Sequence, residues 1–394
     1  MMGGREWMDW MLTAEQVAFR DTLRDFVDRE IPKAASRDAE RVDGAYPHHL
    51  FDRLAKGGYH ATGVPVEYGG RGADLVTQLI QARELSRSLA GMIWIWGSTS
   101  FAGANSIGLY GSEWQKKEFL PKIAAGDLKV TIGFTEPGGG TDVLGALETR
   151  ATRTQGGWLI NGAKKWCTSA HVSDYVLLLA RTNDEVARKH QGVSLFLMSP
   201  KAPGVTLSPL TTLGMRGLGT FDMTMEDVFV PDELLLGQPD NAWRMLLPTL
   251  ANERMLLMGT CLGIIDGVVE DTLAHMKSRE AFGKPIGSFQ AVQHHFANIL
   301  MARHQTELVA FNAARLADAG ADTFLEVTMG KVITSEHAVA AADLGIQIFG
   351  GQGYSGDNDM QRYWRDARLM RFSPINNEMA RNLVAERHGL PRSF

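Results

Sequence analysis

Val17, Phe19, Leu23, Phe26, Val27 and Ile31 recur at near-helical spacing along the first stretch of the chain. Ahead of them, Thr13-Ala14-Glu15-Gln16 has the form of a capping box: Thr13 can accept a backbone N–H while Gln16 reaches back to the Thr13 backbone. Pro32 fits the end of that helix. A second helical stretch is expected over 75–89, and a third from near Gly91, carrying Trp94 and Trp96. Near Leu128 the period changes. Trp158-Leu159-Ile160 leads into Asn161-Gly162, which reads as a hairpin turn, and Gln155-Gly156-Gly157 reads as another just before it. Residues 176–180 and 193–198 are apolar runs of strand length, and Phe221, Met223 and Met225 alternate with polar neighbours. Beyond Gln238 the helical period returns over 242–278, 288–318 and 321–349, and a short helix is expected after Pro374.

The pattern predicts an α+β multidomain chain: a helical domain over 1–127, a β domain over 128–237 and a helical bundle over 238–394. A length of 394 residues suits two or three domains. The net charge of -5 offers no basic footprint for a nucleic acid. Cys167 and Cys261 rule out a disulfide framework, and neither has ligand spacing, so no metal is expected. Arg5, Glu6 and Asp9 interrupt any leader-like apolar stretch, and the longest uncharged apolar run, 255–265, is too short to span a bilayer. A cytoplasmic protein with no membrane insertion is the expectation.

Gly351-Gln352-Gly353-Tyr354-Ser355-Gly356 matches GxGxxG, but it follows a predicted helix rather than a strand, so it reads as a Gly-rich turn and not a dinucleotide fingerprint. Other segments are more informative. Residues 131–142 (TIGFTEPGGGTD), 160–170 (INGAKKWCTSA), 213–216 (LGMR, with Thr220), 226–231 (EDVFVP), 279–290 (REAFGKPIGSFQ) and 347–351 (QIFGG) occur in one register. Together they resemble the acyl-CoA dehydrogenase family over 13–390. The resemblance implies a β-barrel-like middle domain, a C-terminal four-helix bundle and an FAD cofactor. It also implies an acyl-CoA substrate, a homo-oligomer (usually a tetramer) and an electron-transferring flavoprotein as acceptor.

The three adjacent glycines of 138–140 leave backbone N–H groups open to a ligand, although a loop joining domains explains them equally well from the residues alone. The resemblance gives Phe134, Thr135 and Gly140 to FAD and Thr141 to FAD or substrate. Trp166 and Thr168 lie two apart on a strand and should share a face. By resemblance they border the flavin, whereas the residues alone favour a buried Trp in a hairpin. By resemblance Arg279, Phe282, Gln347, Gly350 and Gly351 would receive the cofactor of a neighbouring subunit, whereas the residues alone leave Arg279 a solvated helix end; Gln290, Asn376 and Glu378 are further cofactor contacts.

Dehydrogenation of a thioester needs a carboxylate to take the α-proton and a stabilised carbonyl oxygen. The family carries its glutamate at one of two positions. After Arg365-Asp366-Ala367-Arg368 the commoner position falls on Pro374, which cannot act as a base. The alternative position holds Glu253, beside Arg254. This resembles the isovaleryl and long-chain subgroups and makes Glu253 the candidate base, with Arg254 a substrate-binding neighbour. A solvated ion pair is the other reading of that dipeptide. Pro374 also lacks the N–H that relatives offer the thioester carbonyl, so Ile375 or Asn376 is expected to supply it. Trp96 and Ser98, with Met92, Trp94 and Thr99, fall near the family's acyl-binding helix; the indoles could shorten the acyl pocket or serve as core. Two alternatives remain: an enoyl-CoA reductase or oxidase on the same fold, and a non-catalytic scaffold binding FAD and CoA esters.

Overall fold

The computed structural model describes residues 9–392; Arg5 and Glu6, which bear on the leader question, lie outside them. The first helices are α1 (Ala14–Glu30), α2 (Lys33–Ala39), α3 (His48–Lys56), α4 (Leu75–Ser88), α5 (Ser106–Tyr110) and α6 (Glu113–Ala125). The strands follow: β1 (Val130–Gly133), β2 (Arg150–Thr154), β3 (Gly157–Thr168), β4 (Tyr175–Arg181), β5 (Val193–Met198), β6 (Val205–Leu210), β7 (Thr220–Pro231) and β8 (Leu235–Leu236). After α7 (Ala242–Ser278) a small hairpin, β9 (Glu280–Ala281) and β10 (Lys284–Pro285), precedes the remaining helices. These are α8 (Gln290–Asp318), α9 (Phe324–Phe349), α10 (Gly351–Tyr354), α11 (Asp359–Leu369) and α12 (Asn377–Arg387). The capping box at Thr13 forms as expected, with both reciprocal bonds at the start of α1. Among the described residues, no helix is long and apolar enough to cross a membrane.

Contacts cluster into two units. One comprises 39–73 and 94–253; the other comprises 1–38, 74–93 and 254–394, so α7 contributes to both. The first unit is built on an eight-stranded sheet of order β6-β7-β3-β2-β4-β5-β8, with β1 paired parallel to β4. β4 and β5 are buried along almost their whole length, which is why both read as continuous apolar runs rather than as alternation. Ile160, Val176, Leu178, Phe196, Met223 and Val228 fill the core beside the sheet.

One expected hairpin is not there. The chain turns at Gln155-Gly156, where Gly156 has φ +74°, and β3 then runs straight through Asn161-Gly162. Opposite that dipeptide the partner strand bulges instead: β7 carries one extra residue there, and its Asp227 has φ +49°. The Asn161 side chain bonds the Asp227 backbone and carboxylate, and a Cβ on Gly162 would lie 2.6 Å from the Thr149 Cα. Pairing on both edges of β3 outweighs the local turn preference of Asn-Gly.

Two features organise the helical unit. Gly259, Gly263 and Gly267 follow one another at four-residue intervals on α7 and form a seam against α4. A Cβ added to each would stand 2.7, 2.2 and 2.8 Å from the carbonyl oxygens of Leu79, Arg83 and Arg87. The two backbones can approach this closely only because no side chain intervenes. Beside the seam lies a buried charge network drawn from four helices: Arg24 of α1, Arg83 and Glu84 of α4, Asp266 of α7, and Arg303 and Glu307 of α8. Arg83 Nε and Arg303 Nε each donate to Asp266 at 2.6 Å, and the two arginines also reach Glu307 at 3.0 Å. Arg24 makes a bidentate pair with Glu84 at 2.8 Å. Around these, Leu79, Ile80, Met258, Leu262 and Phe311 form an apolar cluster.

Candidate active site

In the sheet unit, the glycine-rich loop leaves β1 through Phe134, which is buried, and Thr135, which is half-buried; residues 137–142 are exposed. Thr135 accepts a hydrogen bond from the Lys165 N–H at 2.8 Å, and the Thr131 hydroxyl donates to the Thr168 carbonyl at 2.6 Å. Phe134 and Thr135 are thereby brought beside Trp166 and Thr168. Gly138 and Gly140 have nothing within 4 Å of a built Cβ, so their backbone is open on the side-chain face.

A pair that the sequence reading left without a role anchors this loop. Lys164 is fully buried, and its Nζ donates to Glu136 Oε1 at 2.7 Å and to the Phe134 carbonyl at 3.4 Å. Glu136 also accepts the backbone N–H groups of Glu148 (2.6 Å) and Thr149 (3.0 Å), stapling the far end of the loop to its start. Burial pushes Lys164 down to about 8, against the pull of Glu136. Burial acts to raise Glu136, but the Lys164 ammonium and these hydrogen bonds outweigh it and hold the carboxyl below its ordinary range. Both residues sit inside the quoted motifs, but 28 positions of separation hide the pairing. Lys164→Met should lower stability by about 3–5 kcal/mol, because it leaves a buried carboxylate without its countercharge. Chemical denaturation checks this, and adding Glu136→Leu should recover much of the loss.

Trp166 is 53% exposed and adopts φ +63°, within a bulge of β3 between Lys164 and Cys167. The alternation argument for Trp166 and Thr168 therefore does not apply as stated, since the extra residue breaks the period of two. The Trp is also not the buried one of a plain hairpin. An exposed indole on the strand that pairs with the loop's start at Thr135, two residues before Thr168, fits a planar aromatic cofactor such as a flavin.

The expected helix from Gly91 is wound wide: Ile93–Gly97 and Thr99–Asn105 are π-helical, a form concentrated at functional sites. Thr99 ties this segment to Val130 of β1, accepting its N–H at 3.1 Å and donating to its carbonyl at 3.3 Å. Trp96 is 1% exposed, and Ser98 is buried with its hydroxyl donating to the Trp94 carbonyl at 2.8 Å. The hydroxyls of Ser106 and Thr249 meet at 2.8 Å and fix the first turns of α7 against the end of the π-helical segment. Glu253 lies one turn beyond Thr249 on the same face of α7 and is 4% exposed. A solvated surface carboxylate is thus excluded.

In the helical unit, Arg254 is half-buried. The Ser373–Pro374 peptide is cis, and Pro374, Ile375 and Asn376 form a half-buried turn before α12. Asn376 is the N-cap of that helix, accepting the Met379 N–H at 2.7 Å, and Glu378 is exposed in its first turn. A second, exposed group lies at the C-terminal ends of α7 and α9. Arg279 donates its N–H to the His275 carbonyl at 2.8 Å, and the His275 ring stacks on Phe349 at 4.0 Å. The stacking joins the end of α7, which carries Arg279, to the end of α9, which carries Gln347 and leads into Gly350 and Gly351. Phe282, at the tip of the β9–β10 hairpin, is 95% exposed, and Gln290 is exposed at the start of α8. The GxGxxG segment follows α9, as expected, but its first four residues wind into α10 rather than a simple turn.

Three family models match in order: the N-terminal domain of acyl-CoA dehydrogenases over 13–127, the middle domain over 131–228 and the C-terminal domain over 241–389. A probable acyl-CoA dehydrogenase of Bacillus subtilis is 32% identical over 381 residues, covering 96% of this chain and 99% of the relative. A 3-(aryl)acrylate reductase of Clostridium sporogenes is 29% identical, covering 95% and 98%. The crystal structure of an acyl-CoA dehydrogenase from Geobacillus kaustophilus superposes with a TM-score of 0.90 at 27% identity, covering 96% and 99%. With helical segments flanking a sheet-rich middle and all three models in order, the chain belongs to the acyl-CoA dehydrogenase family of oxidoreductases.

Proposed function

We propose that this protein is an FAD-dependent dehydrogenase of acyl-CoA thioesters, with Glu253 as the base that takes the α-proton. The observation that carries the reading is a buried carboxylate at Glu253 together with a proline, incapable of proton transfer, at the other family position. Glu253 receives the proton on a carboxylate oxygen in a site from which water is largely excluded. Arg254 and Thr141 orient the thioester. A backbone N–H following Pro374, from Ile375 or Asn376, polarises its carbonyl, and Trp96 and Ser98 border the acyl chain. Phe134, Thr135, Gly140, Thr141, Trp166 and Thr168, with Asn376 and Glu378, would hold FAD, which supplies the acceptor for the hydride leaving Cβ. Arg279, Phe282, Gln290, Gln347, Gly350 and Gly351 would complete that site in a neighbouring copy, giving a homo-oligomer of tetrameric type. On this reading, 1–127, 128–237 and 238–394 are the three domains, and an electron-transferring flavoprotein reoxidises the enzyme in the cytoplasm.

The test is an anaerobic titration of the purified flavoprotein with saturated short, branched, cyclic and long acyl-CoAs, following the oxidised-flavin absorbance. Bleaching by one class is the expected result and names the substrate. Pro374 favours one second reading, enoyl-CoA reduction. In that case the chemically reduced protein would be reoxidised by enoyl-CoAs while no saturated acyl-CoA bleaches it.

A further inference from the structure

Lys331 stands in the first half of α9, fully buried, and its ammonium points into the turn over 371–377. Its Nζ donates to the Arg371 carbonyl at 3.2 Å, to the Ile375 carbonyl, and to Asn377 Oδ1 at 2.7 Å. An ammonium has three N–H donors, and all three are engaged here. Asn377, 1% exposed, closes the turn by donating its N–H to the Arg371 carbonyl at 3.0 Å, and it anchors the turn to α9 through Ser335 (3.1 Å) and Glu336 (3.2 Å). Burying a lysine is costly, and a methionine would fill the same space without that cost. Its positive charge therefore needs an explanation in what it holds.

It holds one peptide plane. The Ile375–Asn376 unit is planar and trans, so its C=O and N–H point in opposite directions. Drawing the Ile375 carbonyl toward α9 turns the Asn376 N–H to the side away from Lys331. Pro374 cannot donate, and the turn it opens is the one that carries the replacement.

We infer that Lys331 is a positioning residue for the reaction: it orients the Ile375–Asn376 peptide so that the Asn376 N–H polarises the thioester carbonyl. This rests on the reading above that the turn after Pro374 meets the thioester. The groups facing the ammonium are Arg254 and Cys261 from α7, Glu336 on α9 itself, Glu378 from α12 and Arg371 in the turn. Burial brings Lys331 down to about 8. Above that pH the amine loses one of its three donors, so the turn loosens as pH rises.

The test uses the FAD-loaded protein and crotonyl-CoA labelled with ¹³C at the thioester carbonyl, read by infrared difference spectroscopy. In the parent the bound carbonyl stretch should lie below its value in water and move back toward it as pH rises through about 8. Lys331→Met should abolish most of that shift at every pH, with flavin content unchanged, and slow flavin reduction roughly 10–100-fold with a smaller change in KM. If the methionine variant fails to retain FAD, Lys331→Gln, which keeps an amide donor, should show an intermediate shift. A full carbonyl shift in a folded, FAD-loaded variant, while the parent is bleached by acyl-CoA, overturns this inference alone. A parent that no acyl-CoA bleaches and whose bound carbonyl is unshifted overturns the underlying reading, and the inference falls with it.

Discussion

Glu253→Gln is expected to bind acyl-CoA as the parent does and to reduce its flavin about 10²–10⁴-fold more slowly, the usual share of a general base. The substitution conserves volume in a buried position, so packing should survive, and the variant should purify with its flavin. What changes is that an amide cannot accept the α-proton. Stopped-flow reduction under anaerobic conditions measures the rate, and exchange of the α-proton with deuterium oxide measures proton removal by itself. Both should fall together. A variant that exchanges and reduces at the parental rate would remove Glu253 from the chemistry. No other carboxylate would then stand at either family position, because the second is Pro374.

A large stability effect should also come from Asp266→Asn. Asp266 is the shared acceptor of Arg83 and Arg303, in a network with three arginines and three carboxylates. Removing one negative charge leaves buried guanidinium uncompensated, at a cost of about 3–5 kcal/mol. Burial acts to raise the Asp266 pKa, but Arg303 and Arg83 overrule it and hold the carboxyl well below its ordinary range. A carboxyl depressed on folding stabilises above its unfolded pKa, roughly 3.9, and that contribution fades as pH falls below it. The difference in urea midpoint between parent and variant should therefore be full at neutral pH and shrink in acid. A difference that does not change with pH would mean that Asp266 acts through its shape and not its charge.

Much of the scaffold was legible because local rules and burial agree there. The capping box at Thr13, the helix over 242–278 and the buried strands β4 and β5 all stand where periodicity puts them. Asn161-Gly162 failed for a definite reason. A turn signal is a local preference, whereas β3 at that point is paired on two edges. The wide winding around Trp96 leaves no periodic mark in so short a stretch. The site was legible only in part. Glu253 could be put forward as a candidate base only because the family's other position is proline. Lys164 and Lys331 could not, since each is explained by partners tens of residues away. The bulge that exposes Trp166 was invisible, because it depends on the register with β7.

The glycine seam between α4 and α7 bears on how this chain can vary. Every single-nucleotide missense change at a glycine codon adds at least one heavy atom. At 259, 263 and 267 that atom would land within 2.8 Å of a carbonyl oxygen on the opposing helix. Unlike most core positions, these have no smaller or equal-sized neighbour in the genetic code through which to drift. Substitution there would have to wait for α4 to move away first, and α4 is itself held by Arg83 and Glu84 in the charge network. The seam should consequently be among the slowest-changing stretches of the chain, although no residue in it has a side chain with which to perform chemistry.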